Sequence, residues 1–254
     1  MVAQITARPP AARMPVHGKL SQALRDSVCR AHTVAVIAEI KRRSPSRGDI
    51  NALLDPGSQA LAYQRGGAAG ISVLTDEQRF GGSADDLRAA REAAAGVPVL
   101  RKDFLRSPED VEESAAMGAD AVLLIVADLE PGNLAAMHAV AHDLGMDALV
   151  EVRDEAEIQT AVDAGGILIG VNQRYKPENS AFTVDYGKAV QMAPHLPENV
   201  IKVAASGIGV EGGTTVAEVR DAGYDAVLVG EALVLAGNPA EAVSSMRIKH
   251  SAHL

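Results

Sequence analysis

Eight short runs of aliphatic and β-branched residues alternate with amphipathic segments along the chain, and this alternation predicts an α/β protein with a parallel sheet covered by helices. Eight such units in 254 residues favour closure into a single (β/α)8 TIM barrel over an open sheet, here with a short extra helix at the amino end. A third observation orients the barrel. The joints from helix to strand repeat one chemistry, GAAG at 67–70, MGAD at 117–120, LGMD at 144–147 and AGYD at 222–225, with Gly where a helix ends in a left-handed residue. These are stability-side loops, so chemistry is expected at the opposite, C-terminal ends of the strands.

The elements follow in order. Residues 1 to 16, with Pro9, Pro10 and Pro15 among small residues, read as a flexible arm, leaving 17 to 254 for the barrel. A helix over Lys19 to Arg30 leads into the opening strand, which runs from Val36 through Glu39, Ile40 and Lys41 and breaks at Ser44, Pro45 and Ser46. Then come helix Pro56 to Gly66, with Leu61 on its buried face, and strand Gly70 to Thr75; helix Ala84 to Ala95 and strand Val97 to Asp103; helix Pro108 to Met117 and strand Asp120 to Val126. Helix Pro131 to Leu144 precedes strand Asp147 to Val152, and helix Glu155 to Ala164 precedes strand Gly166 to Asn172. Helix Val184 to Met192, strand Val200 to Ser206, helix Thr215 to Ala222, strand Asp225 to Gly230 and helix Pro239 to Arg247 complete the chain.

Composition narrows the function classes. Apolar residues make up 47% and aromatics 3%, with no Trp, so the core is aliphatic. Twenty-four basic against 33 acidic residues give a net charge of −9, which argues against binding nucleic acid or an anionic membrane through the overall field. A local basic cluster still suits a small anion. Cys29 is the only cysteine, which excludes an intrachain disulfide and a thiolate metal cluster and suggests a quiet buried thiol. No apolar run approaches the roughly 20 residues of a membrane span, and residues 1 to 16 lack the apolar centre of a secretory signal, so a cytoplasmic location is expected. The seven His are scattered away from strand ends and support neither a His-based metal site nor a Ser-His-Asp triad.

The strand ends carry a list of reactive groups: Glu39 and Lys41, Lys102 and Asp103, Glu151, Asn172 and Arg174, Ser206 and Gly207, Gly230 and Glu231. In a strand Glu39 and Lys41 share one face and Ile40 takes the other. A buried carboxylate and ammonium are costly to keep for packing alone. A structural ion pair is the plain reading of those two, yet two lysines, two glutamates and an amide at equivalent positions make an active-site mouth the better one. Ser206, Gly207, Gly230 and Glu231 end strands seven and eight, where barrels of this kind commonly bind phosphate through loop amides.

The segments AEIKRRSPSRG, GISVLTDEQRFGGS, VPVLRKDF, GADAVLLI, LVEV, IGVNQR and DAVLVGEAL, in this order, resemble the signature segments of indole-3-glycerol phosphate synthase across roughly residues 30 to 240. The resemblance implies conversion of 1-(2-carboxyphenylamino)-1-deoxyribulose 5-phosphate to indole-3-glycerol phosphate with loss of CO2 and water and no metal or organic cofactor, by an enzyme that is a monomer or weak homo-oligomer. It implies that Lys102 is the general acid of ring closure and that Glu151 serves in dehydration, assisted by Glu39 and Lys41. It further implies Arg42 and Ser44 near the anthranilate carboxylate, Asn172 and Arg174 orienting the substrate, Phe104 and Leu124 flanking its ring, and Ser206, Gly207, Gly230 and Glu231 at its phosphate.

The chain departs from the family pattern in three places. Where the family has SESG or AESG, this chain has Ala204-Ala205-Ser206-Gly207, without the glutamate. By alternation Ala205 faces opposite Ala204 and Ser206, in register with Val203, so it is expected to reach the site only if the chain bends there. YKPENSA at 175–181 replaces the usual short stretch, placing Lys176 and Pro177 beside the site, and the amino-terminal helix, which in the family helps cover the substrate, is shorter. Three readings stand: the ordinary synthase; a specialised relative closing the same ring on a substituted anthranilate derivative in a secondary pathway; and a catalytically weak barrel that binds a phosphorylated ligand. Retention of Glu39, Lys41, Lys102, Glu151 and Asn172 argues against the third.

Overall fold

Strands of a helix-covered barrel are buried on both faces, and the eight apolar runs of this chain form such strands in the computed structural model, which describes residues 14–45, 47–175 and 183–250. They are β1 Ala35–Ile40, β2 Gly70–Leu74, β3 Val99–Lys102, β4 Ala121–Ile125, β5 Asp147–Val152, β6 Leu168–Asn172, β7 Ile201–Ala205 and β8 Ala226–Val229. Each pairs in parallel with the next, and β8 returns to β1 with Ala35 opposite Ala226 and Ala38 opposite Val229, so the barrel is closed. The helices are α1 Lys19–Cys29, α2 Pro56–Arg65, α3 Glu77–Phe80, α4 Ala84–Ala93, α5 Pro108–Met117 and α6 Pro131–Asp143, followed by α7 Glu155–Asp163, α8 Lys188–Met192, α9 Val216–Asp221, α10 Glu231–Val234 and α11 Pro239–Met246. Side chains of Asp55, Ser83, Asp154, Thr215 and Asn238 cap α2, α4, α7, α9 and α11, each accepting the N–H three residues on.

Two apolar layers follow from strand alternation. The outer layer, between barrel and helices, holds Val36, Ala38, Ile40, Val122, Leu124, Val150, Val152, Val171, Ala204 and Val227. The inner layer fills the barrel with Ala35, Ile37, Leu100, Ala121, Leu123, Ile125, Leu149, Leu168, Ile201, Val203, Ala205, Ala226 and Leu228. Gly170 also faces inward, where a β-carbon would press on the Leu149 side chain.

Helix α1 stoppers the N-terminal end of this interior. Leu20 and Leu24 are fully buried in the inner layer with Met14 and Val28, and the Asp147 carboxylate at the start of β5 accepts N–H bonds from Gly18 and Ser21, both at 3.0 Å. Burying each leucine is worth about 1.5–3 kcal/mol and a hydrogen bond to a charged group a similar amount, so apolar burial and the Asp147 anchor contribute comparably to seating the helix. Because α1 closes the far end of the barrel, it is not what covers a substrate at the mouth. Cys29 packs half-buried beside this layer, its Sγ 4.0 Å from Met14 Sδ, and is more exposed than the buried thiol expected from sequence. Of the arm expected over residues 1 to 16, residues 1 to 13 lie outside the described residues, and Met14 is already buried in the inner layer.

The joints are built as their sequence indicates. Gly118 and Gly223 take φ of 94° in the left-handed region, and the Asp two residues on ties the next strand to its neighbour: Asp120 Oδ2 accepts the Val99 N–H and Asp225 Oδ2 the Lys202 N–H.

Three expectations about elements are corrected. Helix α2 buries Pro56, Ala60 and Tyr63, with Leu61 only half covered. The helix expected from Val184 begins only at Lys188, because Thr183–Val184 pairs antiparallel with Arg174–Tyr175 and Asp185 N–H bonds Gln173 O. The four-residue helix α3 follows β2 where the sequence showed no helical period, and a second small hairpin joins Arg43–Ser44 to Gly48–Asp49. Lys176 and Pro177 lie outside the described residues.

Candidate active site

The inward positions of the strands turn from apolar to charged at their C-terminal ends, where a cavity of about 820 Å3 opens. Its wall includes residues at and just beyond the strand ends: Glu39 and Lys41 at β1, Lys102 and Phe104 at β3, Glu151 and Arg153 at β5, Asn172 and Arg174 at β6, Ala205 to Gly207 at β7, and Gly230 with Glu231 of α10 after β8. The structure thus brings together the five residues expected to carry the chemistry and most of those expected to bind.

Glu39 is the hub. Its Oε1 accepts from Lys41 Nζ at 2.6 Å and its Oε2 lies 3.4 Å from Lys102 Nζ, with all three side chains largely buried. At an effective dielectric of about 20 each contact is worth roughly 5 kcal/mol of attraction, against a desolvation penalty of several kcal/mol per ion, so the cluster is near break-even for stability. What it does secure is charge state. Burial opposes ionisation of Glu39, but the Lys41 and Lys102 ammonium groups, the Lys41 hydrogen bond and the Arg174 guanidinium outweigh it and lower its pKa from 4.5 to about 2. Behind it the buried Tyr63 hydroxyl donates to the Glu39 carbonyl at 3.1 Å, and burial pushes that phenol's pKa up. At the end of the adjacent strand β8, a β-carbon at Gly230 would run into Glu39 Oε1 and Lys41 Nζ, so this glycine makes room for the ion pair.

A pH dependence follows. Glu39 has a lower pKa folded than unfolded, so its ionisation stabilises the fold above about pH 4.5 and that contribution is lost as pH falls toward 2. Glu39→Gln should therefore be least stable relative to wild type at neutral pH and converge with it in acid. Denaturant unfolding of both proteins across that range checks this, and a stability gap independent of pH would contradict the pairing.

On the other side of the cavity Asn172 Nδ2 donates to Glu151 Oε1 at 2.7 Å, and Asn172 Oδ1 accepts the Arg174 N–H at 2.9 Å. One amide therefore fixes both the carboxylate and the start of the next segment. Phe104 stacks on Phe80 with ring centroids 6.3 Å apart, and the Arg79 guanidinium lies 4.6 Å above the Phe104 ring. Arg47 reaches across the mouth to pair with the Glu231 carboxylate.

Three expected contacts are not formed at the cavity. Leu124 is fully buried in the outer layer, and Leu123 and Ile125 line the cavity instead, because β4 pairs Ile125 with the inward-facing Glu151. Arg42 follows the inward-facing Lys41 and so points outward, where it forks onto the Asp86 carboxylate and bonds Gly81 O at 2.8 Å. Ser44 is buried in the small hairpin, and its neighbours Pro45 and Arg47 reach the wall. Ala205, by contrast, reaches the wall with no bend, since Ile201, Val203 and Ala205 form the inward face of β7.

The sequence reading missed Arg47, Arg79, Phe80, Arg106, Arg153 and Tyr186, all on the wall. Arg153 continues the inward parity of Leu149 and Glu151 and was available from alternation. The others sit on loops or short helices with no period to mark them. Among the described residues no group of three or more His, Cys, Asp or Glu is placed to hold a metal ion, and no helix is long and apolar enough to cross a membrane.

Comparison with known proteins follows the same line. In fold, the chain is similar to thiamine phosphate pyrophosphorylase from Pyrococcus furiosus, with a TM-score of 0.61 and 15% identity over 84% of this chain and 93% of that one, a likeness of architecture alone. In sequence, it is 49% identical over 220 residues to the indole-3-glycerol phosphate synthase of Parafrankia sp., spanning 87% of this chain and 80% of that protein. It is 49% identical over 217 residues to the synthase of Mycolicibacterium gilvum, covering 85% and 78% of the two chains, and 50% identical over 217 residues to that of Nocardioides sp., covering 85% and 81%. With the family model described as indole-3-glycerol phosphate synthase matching residues 2–246 and its signature segments converging on one barrel mouth, the chain belongs to the indole-3-glycerol phosphate synthase family.

Proposed function

We propose that the protein closes the indole ring of 1-(2-carboxyphenylamino)-1-deoxyribulose 5-phosphate, releasing CO2 and water to give indole-3-glycerol phosphate. The observation that carries this reading is the Lys41–Glu39–Lys102 cluster facing the Glu151–Asn172 pair across one cavity. The aromatic carbon bearing the carboxylate attacks the ketone, and negative charge develops on the ketone oxygen. Lys102, held by a carboxylate that stays ionised, gives that oxygen its proton. Departure of CO2 restores aromaticity, and loss of the hydroxyl as water then requires an acid and a base at separate places. Glu151, fixed by Asn172, serves that step, with Lys41 and Glu39 on the other wall.

Arg174 and Asn172 orient the sugar chain in this reading, Phe104 with Leu123 and Ile125 receives the ring, and the turn at Ser206–Gly207 with Gly230–Glu231 holds the phosphate. The carboxylate falls to the cations of the rim rather than to Arg42. A second reading keeps the chemistry and changes the substrate: Ala205 on the wall leaves room for a substituent on the anthranilate portion. The purified protein mixed with the unsubstituted substrate should release CO2 and indole-3-glycerol phosphate in equal amounts. Substrate recovered unchanged, from both the unsubstituted compound and a ring-substituted analogue, would refute the assignment.

A further inference from the structure

We infer that Gln173 is a positioning residue for the anion end of the site: its carboxamide, turned away from the cavity, holds the Ser206–Gly207 turn in the conformation that lines the wall. The inference rests on the proposed reading of that turn as the phosphate subsite. Gln173 lies between Asn172 and Arg174, which face the cavity, so its own side chain points outward, where it is fully buried. There Nε2 donates to Ser206 O at 2.8 Å and to Thr214 Oγ1 at 3.0 Å, and Oε1 accepts the Ala189 N–H at 3.2 Å. The backbone N–H of Gln173 also bonds Ala205 O at 3.0 Å. The Thr214 hydroxyl in turn lies within hydrogen-bond reach of Tyr186 O and, at 3.2 Å, of Gln173 Oε1, so it ties the carboxamide to the segment before α8.

The turn needs such an anchor. Ser206 has φ of 69°, a left-handed conformation that a residue with a β-carbon holds only when its surroundings impose it. Gly207 follows at φ of 68°, its carbonyl accepting the Thr214 N–H at 3.1 Å, and the Tyr186 ring packs where a β-carbon on Gly207 would stand. One buried amide therefore links the end of β6, the start of α8 and the turn after β7. Replacing the amide by an apolar group of similar volume takes this partner from the half-buried Ser206 O and leaves the buried Ala189 N–H unpaired, and the turn relaxes to satisfy them.

The test compares wild type with Gln173→Leu, with Thr214→Val as a second variant should the first fail to fold, and with Leu134→Ala as a control that loosens the outer layer under α6 without touching the turn. The readouts are kcat, KM and the competitive inhibition constant of inorganic phosphate. Gln173→Leu and Thr214→Val should raise KM and the phosphate constant by about tenfold with kcat changed less than about threefold, while Leu134→Ala moves neither binding parameter. Phosphate constants equal to wild type in both turn variants, or an equal rise in Leu134→Ala, overturn the positioning role alone. A wild type that phosphate does not inhibit competitively overturns the phosphate reading of the turn, and the inference with it.

Discussion

Lys102→Ala should lower turnover by at least ~10², the low end for loss of a positioned proton donor, with the fold intact. The fold survives because Lys102 sits at the last position of β3, partly exposed, and its contact with Glu39 Oε2 at 3.4 Å is the looser of the two that carboxylate makes. Removing it leaves Glu39 bonded to Lys41 at 2.6 Å, so no buried charge is orphaned. The effect should fall on kcat and on kcat/KM alike, since the proton is delivered only as charge develops on the ketone oxygen. Lys102→Arg keeps the charge but spreads it over a planar fork that does not reproduce a compact ammonium, and should recover little. Turnover of Lys102→Ala within about threefold of wild type would remove Lys102 from the proposed acid role.

How much of this was legible in the sequence depends on whether a strand carries its own marker of parity. In β1 the pair Glu39 and Lys41, one residue apart from Ile40, announces which face is inward, and the same holds for Glu151 in β5 and for Asn172 and Arg174 in β6. The run AVLLI of β4 carries no such marker, because a strand buried on both faces is apolar at every position, so nothing in it opposes the Leu124 that the resemblance implies, whereas register puts Leu123 and Ile125 inward. Arg42 went astray for the opposite reason: alternation points it outward, and the resemblance overrode alternation. The rim arginines Arg79 and Arg106 and the Gln173–Thr214 link depend on contacts between segments remote in sequence, for which no local period exists. The barrel itself was legible because strand runs, capping residues and glycine joints all indicated the same eightfold alternation.

Ala205→Glu should raise kcat/KM on the unsubstituted substrate, by up to ~10² if the catalytic lysines of this chain are held less closely than a second carboxylate would hold them. Ala205 lies on the inward face of β7, opposite Asn172 of β6 and Leu228 of β8, and borders a cavity of about 820 Å3, so a longer side chain extends into open space and leaves the core packing undisturbed. At present Glu39 alone serves both Lys41 and Lys102, closely for the first and at 3.4 Å for the second. An introduced carboxylate facing the same interior gives Lys102 a second partner and narrows the positions its ammonium samples. If instead the space beside Ala205 receives a substituent of the true substrate, the same change blocks the substituted compound while improving the unsubstituted one. Measuring kcat/KM of both proteins on both compounds separates the cases: a gain on one with loss on the other assigns the space to the substrate, and a gain on both assigns it to lysine positioning. Wild-type activity already high on the unsubstituted compound, with no gain from glutamate at this position, would show that Glu39 by itself holds Lys102 well enough.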